Sequence, residues 1–551
     1  MYRIKNSFKT LLALVLIFSV SCHDLEEINI NPNGVDPQKA DPNLLIGTII
    51  TSVGLNVVGH GFGDIAGVMQ HTQKDGWAGG HNRYEWDDNS KSWRTYYNIL
   101  RDVNELYNKA VDRDLEFHQG AAKVMKAYTF GLIADLYGDA PYTEALKGGQ
   151  GSDFFSPVFD SQRDIYLGIL ADLEAANTLL SKNQGDYQGI MPSQDPLFRG
   201  NAAQWRKFAN SLALRYYMRI SEKEPSISAQ GISNIYDNPS DYPLITSYND
   251  DANMGYIGSS PANSWPTNLA FESDLLRGQY SRLKMCATLV EALQALNDPR
   301  LGVWANKIEI PLELDPASPD RDEIVDGKRY IGQNIVDRYL SDGGDPLNYD
   351  EEYVGLPPAI AGASTYNLNP NLGQGTYNPH ASQLNDIYKD VAGPLLLSRM
   401  MSASEVHFIL SEAALKGWIT GDAETHYNEG VRQSLNAWGV GGEFDDYIAG
   451  APYGGLEEII EQKWIASWSA AAEAWFDYRR TGLPVLETGA AASRQAVPLR
   501  FYYHFNDEIT LNYDNAQAAI NNLETTVFTA PDGNNSAWSK FWLLQGTGKP
   551  Y

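Results

Sequence analysis

The fold of this chain is constrained most by apolar side chains that recur every three or four residues over long stretches. Such spacing places apolar side chains on one face of an α-helix. The predicted helices cover residues 44–58, 92–109, 120–142, 162–182, 201–222, 280–297, 404–418, 424–438 and 456–480. The third of them should stop at Tyr137, because Gly138 ends a helix and Pro141 prevents its continuation. Ser404 is expected to cap the helix that begins there.

Short connections between neighbouring helices favour antiparallel hairpins. The hairpin over 404–438 has roughly 35 residues, the size of one tetratricopeptide unit. Residues 237–388 are instead rich in Pro, Gly, Asn and Asp, which predicts a loop-rich subdomain with short strands. The sequence therefore predicts a mostly α fold with tetratricopeptide-like helical hairpins. A helical scaffold of about 44–236 and 389–551 would carry the subdomain, all as one domain over 44–551.

The N-terminus has the layout of a secretory signal segment. Residues 1–21 combine a basic head with an apolar run of about 10 residues, whereas a transmembrane span needs roughly 20. Cys22 follows the small residue Ser21, at the position where bacterial lipoprotein signals place the cysteine that is acylated. We expect lipidation at Cys22, with simple secretion as the alternative. Residues 22–43 would then form an extended leash.

Charge and cysteine content limit the classes of partner. The net charge of −27 predicts repulsion from nucleic acid and from anionic lipid head groups, which need a basic footprint. Once Cys22 is acylated, Cys286 is the remaining cysteine, so no internal disulfide is expected. Its helical context predicts a small buried side chain.

Motifs of common enzymes are missing from the sequence. There is no Gly-x-Ser-x-Gly elbow, and none of the 9 histidines is followed by glutamate. The run Gly61–Ala66 imitates a dinucleotide fingerprint but follows a helix, so it is read as a turn. Residues 320–327 could offer oxygen atoms to calcium, or could be a solvated acidic turn. We predict no catalytic residue, metal or cofactor, although the 69 acidic residues leave a glycosidase carboxylate pair open.

Aromatic residues in Gly/Asn/Pro-rich loops predict a carbohydrate site. A pyranose is held by flat aromatic platforms and planar polar groups. The candidate residues are Trp77, Asn82, Arg83, Tyr84, Trp86, Asn263, Trp265, Asn268, Tyr366 and Tyr377. Trp77 is the expected exposed platform, whereas Tyr84 and Trp86 either join it or cover the adjoining helices. The loop of Trp265 and the loop of Tyr366 and Tyr377 are either ligand contacts or structural segments.

Other aromatic and charged residues are predicted to be structural. Trp464, Trp468 and Trp475 share one helical face and should lie in the core. The charged groups of Asp477, Arg479 and Arg480 are predicted to form ion pairs with other side chains.

Several separated stretches resemble the SusD/RagB family of outer-membrane lipoproteins. They are Lys126–Tyr142, Trp205–Ile220, Ala295–Leu301, Tyr353–Pro357, Ser404–Ala413 and the helix from Glu461 that carries Glu473, Trp475, Asp477, Arg479, Arg480 and Gly482. Gln462 and Lys463 depart from the family, which commonly has arginine after the glutamate. The acidic residues after Cys22 also resemble the signal that sends Bacteroidetes lipoproteins to the outer face of the outer membrane.

The resemblance implies a cell-surface lipoprotein, anchored in the outer membrane, that captures a glycan without catalysis and needs no cofactor. It would pass the glycan to a SusC-like TonB-dependent transporter, over which it closes as a lid. The alternatives are a peptide-binding lipoprotein of the same kind and a surface glycan or peptide hydrolase.

Overall fold

A computed structural model describes residues 41–88, 91–271, 278–371, 377–504 and 512–551. Cys22, the predicted signal segment and most of the leash lie outside the described residues. The elements of the first half are α1 (Pro42–Gly61), α2 (Asp64–Val68), β1 (Thr72–Lys74), α3 (Gly79–Asn82), α4 (Arg94–Asp112), α5 (Glu116–Tyr137), α6 (Gln162–Leu179), α7 (Ala202–Arg219) and α8 (Pro225–Asp237).

The middle of the chain alternates short strands with short helices. Its elements are β2 (Ala252–Gly255), α9 (Gln279–Arg282), β3 (Leu283–Met285), α10 (Ala287–Ala295), α11 (Leu301–Trp304), β4 (Leu312–Leu314), β5 (Asp322–Val325), β6 (Lys328–Ile331), α12 (Gln333–Ser341) and β7 (Leu397–Met401). The last part is helical again, with α13 (Ala403–Leu415), α14 (Ala423–Ala437), α15 (Phe444–Gly450), α16 (Leu456–Ala466), α17 (Ala471–Thr481) and α18 (Tyr513–Asn521).

Local chemistry sets the helix boundaries. The Asp41 side chain accepts a hydrogen bond from the Asn43 backbone at 2.9 Å and starts α1, with Pro42 in its first turn. Gly138 ends α5 with a φ of 97°, a region in which glycine avoids the clash of a Cβ atom. Ser402, and not Ser404, caps α13 by accepting from the Glu405 backbone. The Ser404 hydroxyl instead donates to the Gly430 carbonyl on α14.

Antiparallel hairpins dominate the molecule, as predicted. Helices α4 and α5, α6 and α7, and α13 and α14 pack side by side, and α7 carries α8 on its other flank. Helices that follow one another along the chain thus pack side by side, with their apolar faces between them. The mostly α, tetratricopeptide-like fold is therefore confirmed.

Two predicted helices are broken. The stretch 280–297 splits into α9 and α10, because β3 between them pairs antiparallel with β1 in the register Gln73↔Lys284. The stretch 456–480 splits into α16 and α17 at Ser469, whose φ is 68°. The Gly61 Cα lies so close to the Ser469 carbonyl that a Cβ there would sit 2.0 Å from its oxygen. Long-range strand pairing and close helix packing override local periodicity at both places.

Short sheets hold the loop-rich middle. Strand β2 pairs antiparallel with β7, and β6 pairs with β4 on one side and β5 on the other. The acidic stretch considered for calcium is the β5–β6 hairpin. Its Asp322 forms an ion pair with Arg329 at 2.8 Å, and Glu323 forms one with Arg321 at 2.7 Å. These carboxylates are therefore neutralised by arginine.

One apolar core runs through both helical parts, from Ile46 to Leu544. Trp464, Trp468 and Trp475 are buried in it, which confirms their predicted structural place. Segment 42–68 is apolar enough to span a membrane by length and composition, but the α1 residues Ile46, Ile49, Ile50, Val53, Val57 and Val58 are buried in this core. Cys286 is buried as predicted, and burial raises the pKa of its thiol to about 12.

Buried ion pairs join the hairpins to one another. Glu412 on α13 binds Arg480 on α17 at 2.5 Å, and Arg480 also binds Asp477 at 3.0 Å. The network continues through the pairs Lys463–Asp477, Arg215–Glu405, Arg215–Glu473, Arg219–Glu473, Arg219–Asp135 and Arg479–Asp135. The prediction that Asp477, Arg479 and Arg480 form structural ion pairs is confirmed.

Candidate ligand-binding site

Trp77 presents one open aromatic face to solvent. Its side chain is 70% exposed, the largest exposure of any described tryptophan. The other face of the ring is covered by the guanidinium of Arg282, whose central carbon lies 3.8 Å from the ring centroid. The backbone of Trp77 has a φ of 53°, which is rare for a bulky residue and is typical of functional sites when the surroundings enforce it.

The surroundings of Trp77 are fixed by a buried clamp, which we define as the side chains of Asp75 and Lys284. Their charged groups lie 3.2 Å apart and are almost completely buried. The backbone N–H of Asp75 also donates to the Arg282 carbonyl at 3.1 Å, which continues the β1–β3 ladder. The loop that carries Trp77 is thus attached to the segment that carries Arg282.

The same segment forms the wall of a cleft with a volume of about 420 Å³. The cleft is lined by Tyr280, Ser281, Asn306, Lys307, Glu309, Tyr377, Ala381, Gln383, Asp386 and Lys389. Tyr280 and Ser281 directly precede Arg282 in α9, so the segment that lines the cleft also carries the residue that covers Trp77. Tyr377 is 45% exposed and provides a second accessible aromatic face.

Two of the charged groups in the cleft, Asp386 and Lys389, pair with each other, and Lys307 pairs with Glu352. The Asp386 carboxylate accepts from Lys389 at 2.7 Å and from Asn306 at 2.8 Å, and the hydrogen bond with Lys389 lowers the pKa of Asp386. Burial, followed by its hydrogen bond with Glu309, raises the pKa of Tyr377, so its hydroxyl stays protonated and can donate. The cleft offers aromatic faces, amides, carboxylates and ammonium groups, which suits a polyhydroxylated ligand.

Around Trp77, the other candidates of the first loop are mostly structural. Trp86 is buried against Trp475 and Phe501, and its indole N–H donates to Gly80 at 2.8 Å. Tyr84 is also buried, so of the two alternatives for these side chains the structure favours the one in which they cover the helices. The buried Asn82 side chain holds the backbone of Lys74, and half-buried Arg83 pairs with Glu85 at 3.2 Å.

The second candidate loop is buried at its centre. Trp265 is fully enclosed between Phe62, Tyr256 and Tyr388, and its N–H donates to Thr267 at 2.7 Å. The structural alternative for Trp265 therefore holds, because the rings that enclose it leave no open face for a ligand.

The two asparagines of that loop serve its own backbone. Asn263 accepts from the backbone N–H groups of Ser259 and Ser260, each at 2.9 Å. Asn268 is buried, and its side chain donates to the Trp265 carbonyl. Both amides therefore stabilise the loop's own backbone, and neither of them lines the cleft.

The last two candidates, Tyr366 and Tyr377, differ in exposure. Tyr366 is buried with Ile308, Val354, Leu356 and Ile360, so it has the structural role that was its alternative. Tyr377 lines the cleft. The candidates that remain accessible as aromatic platforms are therefore Trp77 and Tyr377. Sequence reasoning missed Tyr280 and Arg282, because the region that carries them reads as one continuous helix.

Comparison with known proteins relates this architecture to a family. A family model described as SusD-like, "Starch-binding associating with outer membrane", matches residues 38–314 and 348–504. The chain belongs to the SusD-like family. SusD-like proteins are nutrient-binding proteins associated with the outer membrane and are not enzymes. No curated protein matches the chain.

Solved structures show the same SusD-like fold. A SusD homologue from Bacteroides fragilis is 23% identical, with a TM-score of 0.67 over 92% of this chain and 99% of its own. A chitin-binding protein is also 23% identical, with a TM-score of 0.68 over 92% of this chain and 100% of its own. A second SusD homologue from Bacteroides fragilis is 20% identical, with a TM-score of 0.69 over 92% and 100% of the two chains.

Proposed function

We propose that this SusD-like protein is a cell-surface lipoprotein that captures an oligosaccharide and delivers it to a SusC-like TonB-dependent transporter. Residues 1–21 would be the signal peptide, Cys22 the lipid anchor in the outer membrane, and 22–43 the leash of a single domain over 44–551. The continuous core supports the single domain. The observation that carries the proposal is the open face of Trp77, whose other face is covered by Arg282 of the segment that also lines the cleft.

The preferred ligand is a neutral glycan. Trp77 and Tyr377 can stack on the C–H faces of pyranose rings, while Asn306, Glu309 and Asp386 can bond to hydroxyl groups. Both lysines of the cleft are already paired with carboxylates, and the chain as a whole carries −27, which disfavours an acidic polysaccharide. The family description names starch, and one structural neighbour is a chitin-binding protein.

Calorimetry of the purified mature protein with neutral glycans, acidic glycans and peptides tests the ligand class. We expect a neutral oligosaccharide to bind and no product to form on prolonged incubation. Release of shorter sugars would contradict the binding function, and binding of peptides alone would favour the peptide alternative.

The site is tested with Trp77→Ala and Tyr377→Ala. Loss of one stacking contact should weaken affinity for the glycan found by about 5- to 30-fold, because aromatic contacts contribute on the order of 1–2 kcal/mol. Phe155→Ala is the matched control, since that ring is 59% exposed and belongs to another loop. Equal affinity of all three variants and the wild type would refute the site.

A further inference from the structure

A second cleft lies where the start of α6, the end of α18 and the segment 541–545 meet. Its volume is about 300 Å³, which is within the size range of ligand pockets. The polar and aromatic side chains that line it are those of Asp139, Arg163, Asn522, Trp542 and Gln545. Among the described residues, none lines both this cleft and the cleft of Tyr280 and Tyr377. The two clefts are therefore built from separate parts of the chain.

Trp542 provides the aromatic surface of the second cleft. Its ring is half-buried and packs against the core, and it also lines the cavity. The ammonium of Lys223 lies over this ring, 5.7 Å from its centroid. The same ammonium donates to the Gln545 carbonyl at 2.7 Å, so one cation contacts both the ring and the backbone of the cleft wall. The aromatic wall is thus held in place before a ligand arrives.

Hydrogen-bond acceptors surround the ring. The Asp139 carboxylate accepts from the Gln162 backbone at 2.8 Å and from the Asn522 amide at 3.2 Å, and each of its oxygens has a further lone pair. The Gln545 amide nitrogen donates to the carbonyls of Asn522 and Lys540. Because both amide nitrogens are used within the protein, the amide oxygens of Asn522 and Gln545 are the groups that can accept from a ligand.

Arg163 adds hydrogen-bond donors to this lining. Its Nε donates to the Glu224 carboxylate at 2.5 Å, which neutralises the charge of the guanidinium. A guanidinium has five N–H groups, so others can donate to a ligand oxygen. The second cleft combines an indole ring, several acceptors and donors of a neutralised cation. This combination suits an uncharged ligand with many hydroxyl groups, because a hydroxyl both donates and accepts.

We propose that the second cleft binds a neutral carbohydrate independently of the Trp77 site. The choice of a carbohydrate rests on the proposed function. Trp542 would stack on the C–H face of a pyranose, and the oxygens of Asp139, Asn522 and Gln545 would accept from its hydroxyl groups. A glycan chain long enough to span both sites would bind more tightly than a short one, because the second contact becomes intramolecular.

Calorimetry of the mature protein with maltoheptaose and chitohexaose tests the second cleft. The two probes represent the starch of the family description and the chitin of the structural neighbour. We expect the wild type to bind two equivalents of at least one probe and Trp77→Ala/Tyr377→Ala to retain one tight equivalent. Addition of Trp542→Ala to that double variant should weaken the retained binding by about 5- to 30-fold, through loss of a stacking contact.

The pattern of binding separates this inference from the proposed function. A single equivalent that depends on Trp77 and is unchanged by Trp542→Ala would overturn the second cleft and leave the proposed function intact. Binding that depends on Trp542 and not on Trp77 would support the second cleft and refute the site at Trp77. A wild-type protein that binds neither probe would overturn the second cleft as a carbohydrate site.

A milder variant separates loss of the site from misfolding. Asn522 is exposed at the end of α18, so Asn522→Ala leaves the core intact. In the Trp77→Ala/Tyr377→Ala protein it should weaken the retained binding by about 2- to 10-fold, the effect of one hydrogen bond. Asn521→Ala is the matched control, because this neighbouring asparagine is exposed and does not line the cleft. Circular dichroism checks both folds, and equal affinity of the two variants would contradict the assignment.

Discussion

Trp77 and Trp265 have the same side chain and similar loop contexts in the sequence, but opposite environments in the structure. The ring of Trp77 is open on one side and covered by Arg282 on the other, whereas Trp265 is enclosed by other aromatic rings. At the scale of the residue, exposure and not residue type decides which aromatic ring can meet a ligand.

Asp251 gives a prediction about pH. Burial raises the pKa of its carboxyl to about 7, even though the Ala403 N–H donates to it at 2.7 Å. The folded state therefore holds this proton up to pH 7, while the unfolded chain releases it near pH 4. The stability that this proton contributes is fully present below pH 4 and is lost as the pH rises to 7. Relative to Asp251→Asn, the free energy of unfolding should fall by on the order of 2–4 kcal/mol over this range.

Urea unfolding of the wild type and Asp251→Asn at several pH values measures this difference. An asparagine can still accept the hydrogen bond from the Ala403 backbone, so the variant removes the titration and keeps the contact. Parallel stability curves for the two proteins between pH 4 and pH 7 would contradict the prediction.

At the scale of the element, the pairing of β1 with β3 builds the candidate site. It brings together residues about 200 positions apart in the chain and attaches the Trp77 loop to α9. The Asp75–Lys284 clamp lies at this junction. Preorganisation of this kind reduces the ordering cost of ligand binding.

We predict that Lys284→Met destabilises the protein by about 3–5 kcal/mol, because the buried Asp75 carboxylate loses its cation. The double variant Asp75→Asn/Lys284→Met should recover most of this loss. Urea unfolding of the two single variants and the double variant gives the coupling energy. If the free-energy costs of the two single variants add up to that of the double variant, Asp75 and Lys284 do not interact as a pair.

The buried ion pairs give a second prediction at this scale. Glu412→Gln should cost about 3–5 kcal/mol of stability, since the buried Arg480 then loses its main anion. Glu352→Gln is the matched control, because its pair with Lys307 is exposed and screened by water. The stability of both variants is measured from their denaturant midpoints. If both midpoints shift by the same small amount, the buried network contributes no net stability.

At the scale of the whole molecule, the proposed function is delivery to a transporter. If the protein acts as a lid, the lipid anchor serves delivery and takes no part in glycan binding. Cys22→Ala should therefore keep the glycan affinity of the purified protein and impair growth on that glycan. Calorimetry and growth curves measure the two effects, with membrane fractionation to locate the variant. Normal growth with an unlipidated protein would contradict the lid.

Much of the scaffold could be predicted from sequence, because helix periodicity and capping are local. Helices α4 to α7, α13 and α14 begin and end within a few residues of their predicted bounds. Helices α8 and α12 were missed, since Pro225–Asp237 and Gln333–Ser341 lie among turn-forming residues that mask their periodicity. The ion pairs of α17 could also be predicted, because charged side chains on a buried helical face need partners of opposite charge.

The sequence by itself determined the mostly α fold and the resemblance that led to the family, because both depend on patterns within single elements. Only the tertiary structure decided which aromatic residues are accessible, that β3 interrupts a helical pattern, that Arg282 covers Trp77, and that Tyr280 and Tyr377 line one cleft. These features depend on strand pairing and packing between distant segments. Local periodicity carries no information about that long-range pairing.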